Sequence, residues 1–325
     1  MSATAHDAQA EFAIRAPTRI DFGGGWTDVP PYDTEQGGFV CNVAISRYAT
    51  VRVRPAPHVN SAELAVVRPS DIALLQAAAR RYRIRGARLS LTSDFPVAAG
   101  LGGSSAAGVA SIAASLRWLG QSHSREEIAE MSRDLEINEL GIAGGRQDHY
   151  AAALGGALGI HFGAGVSPEP IALSAAVATE LSRRCIIMYT GESRISGNTI
   201  TAVMAAYRAG ATTVRAALKR MRELAAQMAR ALVRADLDEV GALVGEHWQH
   251  QRSLDPAIPT PLIDAMIAQA TRAGAIGCKA LGASGGGCVL IVAPADRVQE
   301  VRRAVAPLGL AIDYAVDTQG VSECP

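Results

Sequence analysis

Hydrophobic positions alternate with polar ones early in the chain and recur at helical spacing later. FAIRAPTRIDF, beginning at Phe12, reads as a strand that leads into the glycines of FGGGWTD. In YATVRVRP, Val51 and Val53 alternate with Arg52 and Arg54, the period of two that marks a half-buried strand. ARLSLTS predicts another short strand ending at Pro96. Between these, Ser70-Asp71 opens an Ala-rich helical segment to about Arg83. Ser124 and Glu127 make a Ser-x-x-Glu capping box, and the helix that follows should stop at Gly141. CIIMYTG, near residue 185, predicts a strand. From about Arg194 to Ala273 the pattern is mostly helical, and VRAALKRMRELAAQMARALVRADLDEV keeps its charges on one face. CKALGAS and GCVLIVAP are strand candidates flanking a glycine cluster, and a helix (DRVQEVRRAVA) and a strand (LAIDYAV) close the chain. This is a mixed α+β plan with a boundary near residues 165–185, which gives units at 11–175 and 176–325.

The stretch from Phe95 to Leu116, FPVAAGLGGSSAAGVASIAASL, contains no charged side chain and is long enough to span a bilayer. Gly, Ala and Ser dominate it, however, which argues against a membrane span. A helix from Ser104 to about Trp118, small on every side, is instead expected to pack tightly within protein. The 325 residues suffice for two domains, and 49% hydrophobic with 19% charged residues is ordinary for a globular protein. Lys+Arg and Asp+Glu are equal at 31 each, so no global field draws the chain to nucleic acid or anionic lipid. A small-molecule partner is the better expectation. The five cysteines are odd in number and form no CxxC pair, which fits a reducing cytoplasm. The N-terminus, MSATAHDAQAEF, shows no secretory pattern and is expected to be a frayed tail.

The segment from Pro96 to Ser105 runs from strand through a glycine turn into a helix. Glycines let the backbone approach a ligand closely, and the first amides of the helix lack intrahelical partners. Together they can cradle a phosphate. No Gly-Lys-Ser/Thr follows, so this is not a Walker A loop. Ser105 stands where a dinucleotide fingerprint needs its third glycine.

PVAAGLGGSSAA is similar to P-x-x-x-G-L-G-S-S-A-A, the nucleotide-binding motif of the GHMP kinases. RAPTRIDFGGGWTDVPPY resembles that family's N-terminal segment, and LGASGGGCVLI its C-terminal glycine-rich motif. The three motifs fall in order between Arg15 and Leu290, and so cover most of the chain. The resemblance implies a two-domain fold, ribosomal-protein-S5-like then ferredoxin-like, with ATP and Mg²⁺ as cofactors. It places the ATP phosphates on Pro96, Gly100, Leu101, Gly102, Gly103, Ser104 and Ser105. Gly103 replaces the motif's first serine, which leaves Ser104 as the serine that helps hold Mg²⁺ and Ser105 as the fallback. In LEINELGIAGGRQDHYAAALGG, the resemblance makes Asp148 the catalytic acid and Glu136 the second Mg²⁺ ligand, with Glu139 as the nearby alternative. Arg19 and Arg146 are guanidiniums suited to stabilising Asp148 or the transferred phosphate. Gly24, Gly25, Trp26, Thr27, Asp28, Arg194, Gly285 and Gly286 are expected around the sugar, with Trp26 as a stacking platform.

GGGWTDVPPY…GGFVCNVAI, GGRQDHYAAALGG and YTGESR are similar to the sugar 1-kinase branch that includes D-glycero-D-manno-heptose 7-phosphate kinase and the kinase part of L-fucokinase. Heptose kinases commonly carry Lys and Gln where this chain has Arg146 and His149, and the inserted Trp26 looks more like fucokinase. A heptose 7-phosphate needs cations for its dianion, for which Arg194 and Lys279 are candidates, each equally readable as half of a structural ion pair. The favoured expectation is phosphorylation of that heptose to the 1,7-bisphosphate. A free-sugar 1-kinase is the alternative, and a non-catalytic ATP and sugar sensor is the alternative of another class. His247 and His250 share a helical face without a third ligand, so a solvated or substrate-edge role is expected of them. A cytoplasmic location, no nucleic-acid or membrane partner, and a homodimer among the open assemblies complete the expectations.

Overall fold

The alternating residues after Phe12 form two long antiparallel strands, β1 (Phe12–Gly23) and β2 (Gly38–Pro55), joined through a short helix, α1 (Tyr32–Gln36). The computed structural model describes residues 10–66, 72–141, 144–192 and 196–324. There follow β3 (Glu63–Val66), α2 (Ile72–Arg81), β4 (Ala87–Ser93), α3 (Gly103–Trp118), α4 (Arg125–Asp134), α5 (Gln147–Leu154), β5 (Ala157–Phe162) and β6 (Val166–Ile171). The second part comprises α6 (Ala175–Arg184), β7 (Cys185–Tyr189), α7 (Ser196–Arg208), α8 (Thr212–Val233), α9 (Leu237–Gln251), α10 (Pro261–Arg272), β8 (Gly277–Ala280), β9 (Cys288–Val292), α11 (Val298–Val305), β10 (Leu310–Ala311) and β11 (Ser322–Glu323). It is an α+β arrangement, as expected.

One sheet runs β11-β1-β2-β4-β3. The first half of β2 also pairs with β5, which carries β6, while its second half pairs with β4. The other sheet runs β10-β7-β9-β8. The chain therefore changes sheet between Ile171 and Cys185, inside the expected boundary. Its end departs from the 176–325 division, because β11 returns to pair with β1. Of two apolar cores, the first joins the first sheet to one face of β7 and β9 (Ile187, Leu290, Val292), the second packs on their other face (Ile186, Val289, Ile291), and α8 serves both. Val214, Leu218 and Met221 enter the second core, and Leu224, Ala225 and Met228 the first.

The uncharged stretch is a buried helix. In α3, Ala106, Val109, Ala110, Ile112 and Ala114 are all at or near zero exposure, and a Cβ on Gly108 would lie 2.5 Å from Ser132 Oγ. Small residues are needed because α3 is packed on every side. No described helix is long and apolar enough to cross a membrane.

The capping box forms as read, with Glu127 N–H donating to Ser124 Oγ (3.1 Å) and Ser124 N–H to Glu127 Oε2 (2.8 Å). The helical run stops at Gly141 (φ 66°), whose N–H donates to Ile137 O (3.1 Å), but its last stretch is not α-helical. It widens into a π-helical turn over Leu135–Glu139, a device that commonly accompanies functional sites. LAIDYAV is also corrected, since only Leu310–Ala311 form a ladder. Ile312 and Tyr314 still bond to β7, but the last two residues turn to the first sheet, where Ala315 N–H donates to Ser46 Oγ and Val316 bridges to Ile45. Residues 1–9 of the expected N-terminal tail and the Ser70-Asp71 helix start lie outside the described residues, while Glu11 pairs with Arg52 and Arg54 and Phe12 opens β1.

Candidate active site

Between β4 and α3 the chain turns through Ala98, Gly100 and Gly102, all with positive φ (49°, 75° and 72°). A Cβ on Gly100 would lie 2.4 Å from Leu281 O, and one on Gly102 would lie 3.1 Å from Asp148 Cγ. Glycine is thus what lets this loop abut both the C-terminal glycine loop and the acid. Gly103 has a separate cause. Its Cβ would lie 2.3 Å from the Phe95 ring, so the ring occupies the space where the family motif has serine. Ser104 is exposed and its hydroxyl donates to Glu136 Oε1, whereas Ser105 is buried and lies 3.4 Å from His149 Nε2. Glu139 instead faces Arg81 at 3.6 Å.

Asp148 is the second residue of α5, at the helix end that favours negative charge. Arg19 of β1 grips it with Nε to Oδ1 at 2.6 Å and Nη2 to Oδ2 at 2.8 Å. The same guanidinium donates to Gly100 O (2.5 Å), and Arg19 N–H donates to Leu101 O (3.0 Å). Arg19 side-chain exposure is 4% against 25% for Asp148, so the cation is fixed and the acid faces the opening. The two expected arginines part company here. Arg146 forms no bond to Asp148 among the described residues, and its charge acts on Asp33 and Arg133.

A cleft beside Asp148 is lined by Arg19, Asp21, Gly25, Trp26, Asp28, Gln147, Ile200 and Gly282. Thr27 and Gly24 build its wall without lining it. Thr27 Oγ1 donates to Gly24 O (2.6 Å) and accepts from Phe39 N–H (3.2 Å), and a Cβ on Gly24 would lie 2.0 Å from Phe39 O. Trp26 has a positive φ (82°), is 6% exposed and packs into the second core, with its indole N–H buried and unpartnered. That makes it a cleft wall rather than an open stacking platform. Asp28 is buried beneath the cleft, where it accepts from Gln147 N–H (3.0 Å). Burial pushes its carboxyl up to about 7, the Gln147 amide opposes this, and Asp148 and Asp21 add to it.

Lys279 is fully buried and donates to Asp21 O (2.9 Å) and Asp21 Oδ2 (3.1 Å). It is the structural ion pair of the two readings, not a free phosphate partner. Arg194 lies outside the described residues. Gly285 N–H is tied to Ile258 O, and Gly286 packs on Glu192. The C-terminal loop therefore reaches the cleft through Gly282 and Ala283. His247 is corrected as well. It is buried, not solvated, and its Nε2 accepts from Gly24 N–H at 3.0 Å. Burial, helped by Lys279 and His250, pushes its pKa well down and keeps it the neutral acceptor this bond requires. Asp21, Gln147 and Gly145 were missed by sequence reasoning. Only their places inside RIDFGG and GGRQDHY signalled them.

Among the described residues no three His, Cys, Asp or Glu side chains form a metal cluster. Mg²⁺ does not need one, because it is commonly held by one or two protein oxygens together with phosphate oxygens. Ser104 and Glu136 fit that pattern beside the glycine loop. Burial would raise the Glu136 carboxyl, but the hydrogen bonds from His149 and Ser104 outweigh it and hold it below the ordinary range. The carboxylate thus stays ionised.

Residues 70–156 match the family described as GHMP kinases N terminal domain, and residues 228–308 match GHMP kinases C terminal. A bifunctional fucokinase/GDP-fucose pyrophosphorylase of Arabidopsis thaliana is 27% identical over 89% of this chain but only 30% of its own length. The chain thus spans about a third of that relative. A D-glycero-alpha-D-manno-heptose 7-phosphate kinase of Campylobacter jejuni is 26% identical over 94% of this chain and 97% of its own. A mevalonate kinase of Pyrococcus abyssi is 30% identical over 76% of this chain and 70% of its own. The crystal structure of a D-glycero-D-manno-heptose 1-phosphate kinase from Bacteriodes thetaiotaomicron superposes with a TM-score of 0.79 at 24% identity, covering 97% of this chain and 99% of that one, a likeness of fold. With both family domains matched in order over this glycine loop and acid, the chain belongs to the GHMP kinase family of phosphotransferase enzymes.

Proposed function

We propose that the protein transfers the γ-phosphate of ATP to the anomeric hydroxyl of a sugar bound in the cleft. The observation that carries this is the contact of the anion loop with the acid. Gly102 lies against Asp148, and Arg19 bonds both the loop carbonyl of Gly100 and the Asp148 carboxylate. ATP phosphates lie along the loop amides and the start of α3. Asp148 orients the sugar hydroxyl and accepts its proton as the oxygen bonds to the γ-phosphorus and the bond to ADP breaks. Arg19 orients the Asp148 carboxylate through its two hydrogen bonds and adds positive charge beside the transferred group. Ser104 and Glu136 would hold Mg²⁺, which neutralises phosphate charge when bound.

The proposed substrate is D-glycero-D-manno-heptose 7-phosphate, giving the 1,7-bisphosphate. Support comes from the heptose kinase of Campylobacter jejuni, which the chain matches from end to end. A second reading, an L-fucose-like free sugar, is favoured by the charges. Among the described cleft residues, Arg19 is committed to Asp148, and Lys279 beneath is committed to Asp21. The proposal places the enzyme in the cytoplasm, where ATP is supplied, and leaves its assembly, homodimer or monomer, to sedimentation. The test is ADP release with ATP and Mg²⁺ on that heptose phosphate, sedoheptulose 7-phosphate, L-fucose, galactose and mannose. Turnover on the heptose phosphate alone supports the first reading and turnover on a neutral sugar the second. ATP and sugar binding without any ADP release would instead identify a sensor and refute both.

A further inference from the structure

Behind Glu136 lies a chain of buried polar groups that the proposed reaction does not use. His149 is 1% exposed, and its Nε2 lies 3.0 Å from Glu136 Oε2. Its Nδ1 lies 3.0 Å from Ser132 Oγ on α4, and Ser132 is fully buried. Gly108 of α3 makes room for this, since a Cβ there would lie 2.5 Å from the Ser132 hydroxyl. An ionised carboxylate can only accept, so Nε2 carries the hydrogen directed at Glu136. Nδ1 is then free to accept from the Ser132 hydroxyl. The other carboxylate oxygen, Oε1, meets Ser104.

We propose that His149 is a positioning residue for divalent-cation binding. By holding Oε2 it turns Oε1 toward Ser104, so that two oxygens from separate elements act as one donor pair. Ser132 locks the imidazole in the tautomer that does this. The π-helical turn presents Glu136 inward, and the first turn of α5 supplies the anchor. Because His149 follows Asp148 directly, one short helix sets both the acid and the cation ligand. A buried imidazole that merely filled space would be replaceable by any side chain of similar bulk. A positioning imidazole is replaceable only by one that can donate to Oε2.

The inference rests on reading Ser104 and Glu136 as the cation pair, so its test includes that pair. Mn²⁺ binding would be measured by electron paramagnetic resonance in the presence of a non-hydrolysable ATP analogue, for wild type, E136Q, H149L, H149Q and S132A. Metal-free binding of the analogue is measured alongside. We expect H149L to weaken Mn²⁺ binding by about 10- to 100-fold, the usual cost of removing a group that orients a metal ligand. S132A should weaken it by several-fold, H149Q should stay close to wild type, and metal-free analogue binding should not change. Loss in E136Q with wild-type affinity in H149L would overturn the positioning role while leaving the cation pair intact. Unchanged affinity in E136Q would overturn the cation pair and the inference with it. Equal losses in H149L and H149Q would assign the role to ring shape and overturn the hydrogen-bond account. Should H149L fail to fold, S132A decides, and wild-type affinity there overturns the proposal.

Discussion

Asp28→Asn should make the protein more stable than wild type as pH rises from 5 to 8. The carboxyl is buried under the cleft, and its pKa rises from an ordinary 3.8 to about 7, chiefly because burial disfavours the anion. Between those values the folded protein holds a proton on Asp28 that the unfolded chain has released. Wild-type stability therefore falls with increasing pH across this window, by up to about 1.36 kcal/mol per unit, and the loss is complete above pH 7. The full rise corresponds to about 4 kcal/mol. An asparagine cannot ionise, and its carbonyl can still accept from the Gln147 amide, which bonds Asp28 Oδ2 at 3.0 Å. The gain of the variant over wild type should thus grow by about 2 to 4 kcal/mol between pH 5 and pH 8. Urea denaturation of both proteins at half-unit pH steps measures this difference directly, because other titrating groups largely cancel. A difference that stays flat within about 1 kcal/mol would refute the burial argument.

Three further outcomes follow from the same geometry. Asp148→Ala should lower kcat by about 10²- to 10⁴-fold while changing the affinity for an ATP analogue less than about two-fold, and normal turnover would remove Asp148 from the reaction. Lys279→Met strands the buried Asp21 carboxylate and should cost about 3–5 kcal/mol. Adding Asp21→Asn should recover most of that, and additive losses in denaturant melts would show that the pair does not act as one unit. Gly103→Ser restores the family's serine but puts a Cβ 2.3 Å from the Phe95 ring, so it should destabilise by about 1–3 kcal/mol without tightening ATP. A melting temperature equal to wild type would show that the ring has room to move.

Much of this was legible locally. Period-two alternation marked Val51–Arg54 as strand, which lies in β2, and Ser124 and Glu127 cap the helix they were expected to cap. What could not be read was pairing across the chain. Lys279 and Arg194 looked alike as cations, and only folding shows that Lys279 is buried on Asp21, 258 residues away. His247 and His250 sat on one helical face, but nothing in their spacing indicated that α9 would run beneath Gly24 and use one imidazole to hold its amide. The π-helical turn was equally hidden. The segment has ordinary helical character, and nothing in its spacing marks the widening over Leu135–Glu139.

Two of the places where the motifs depart from the family's usual residues, Gly103 and His149, make the same argument more sharply. Gly103, read alone, looks like a weakened phosphate loop. In the fold it is the consequence of Phe95, which fills the serine's space. Ser104, in the second serine position, still reaches Glu136 with its hydroxyl, so the loop has exchanged its first serine for an aromatic buttress and kept the second. His149, read alone, looks like a neutral exchange for glutamine. In the fold its two ring nitrogens connect Ser132 to Glu136, and Gly108 on a third helix leaves room for the connection. Each departure is therefore half of a compensated pair whose other half lies elsewhere in the chain. Restoring serine at Gly103 while Phe95 stays in place should therefore perturb the site, and the Phe95 ring makes that disturbance directly measurable.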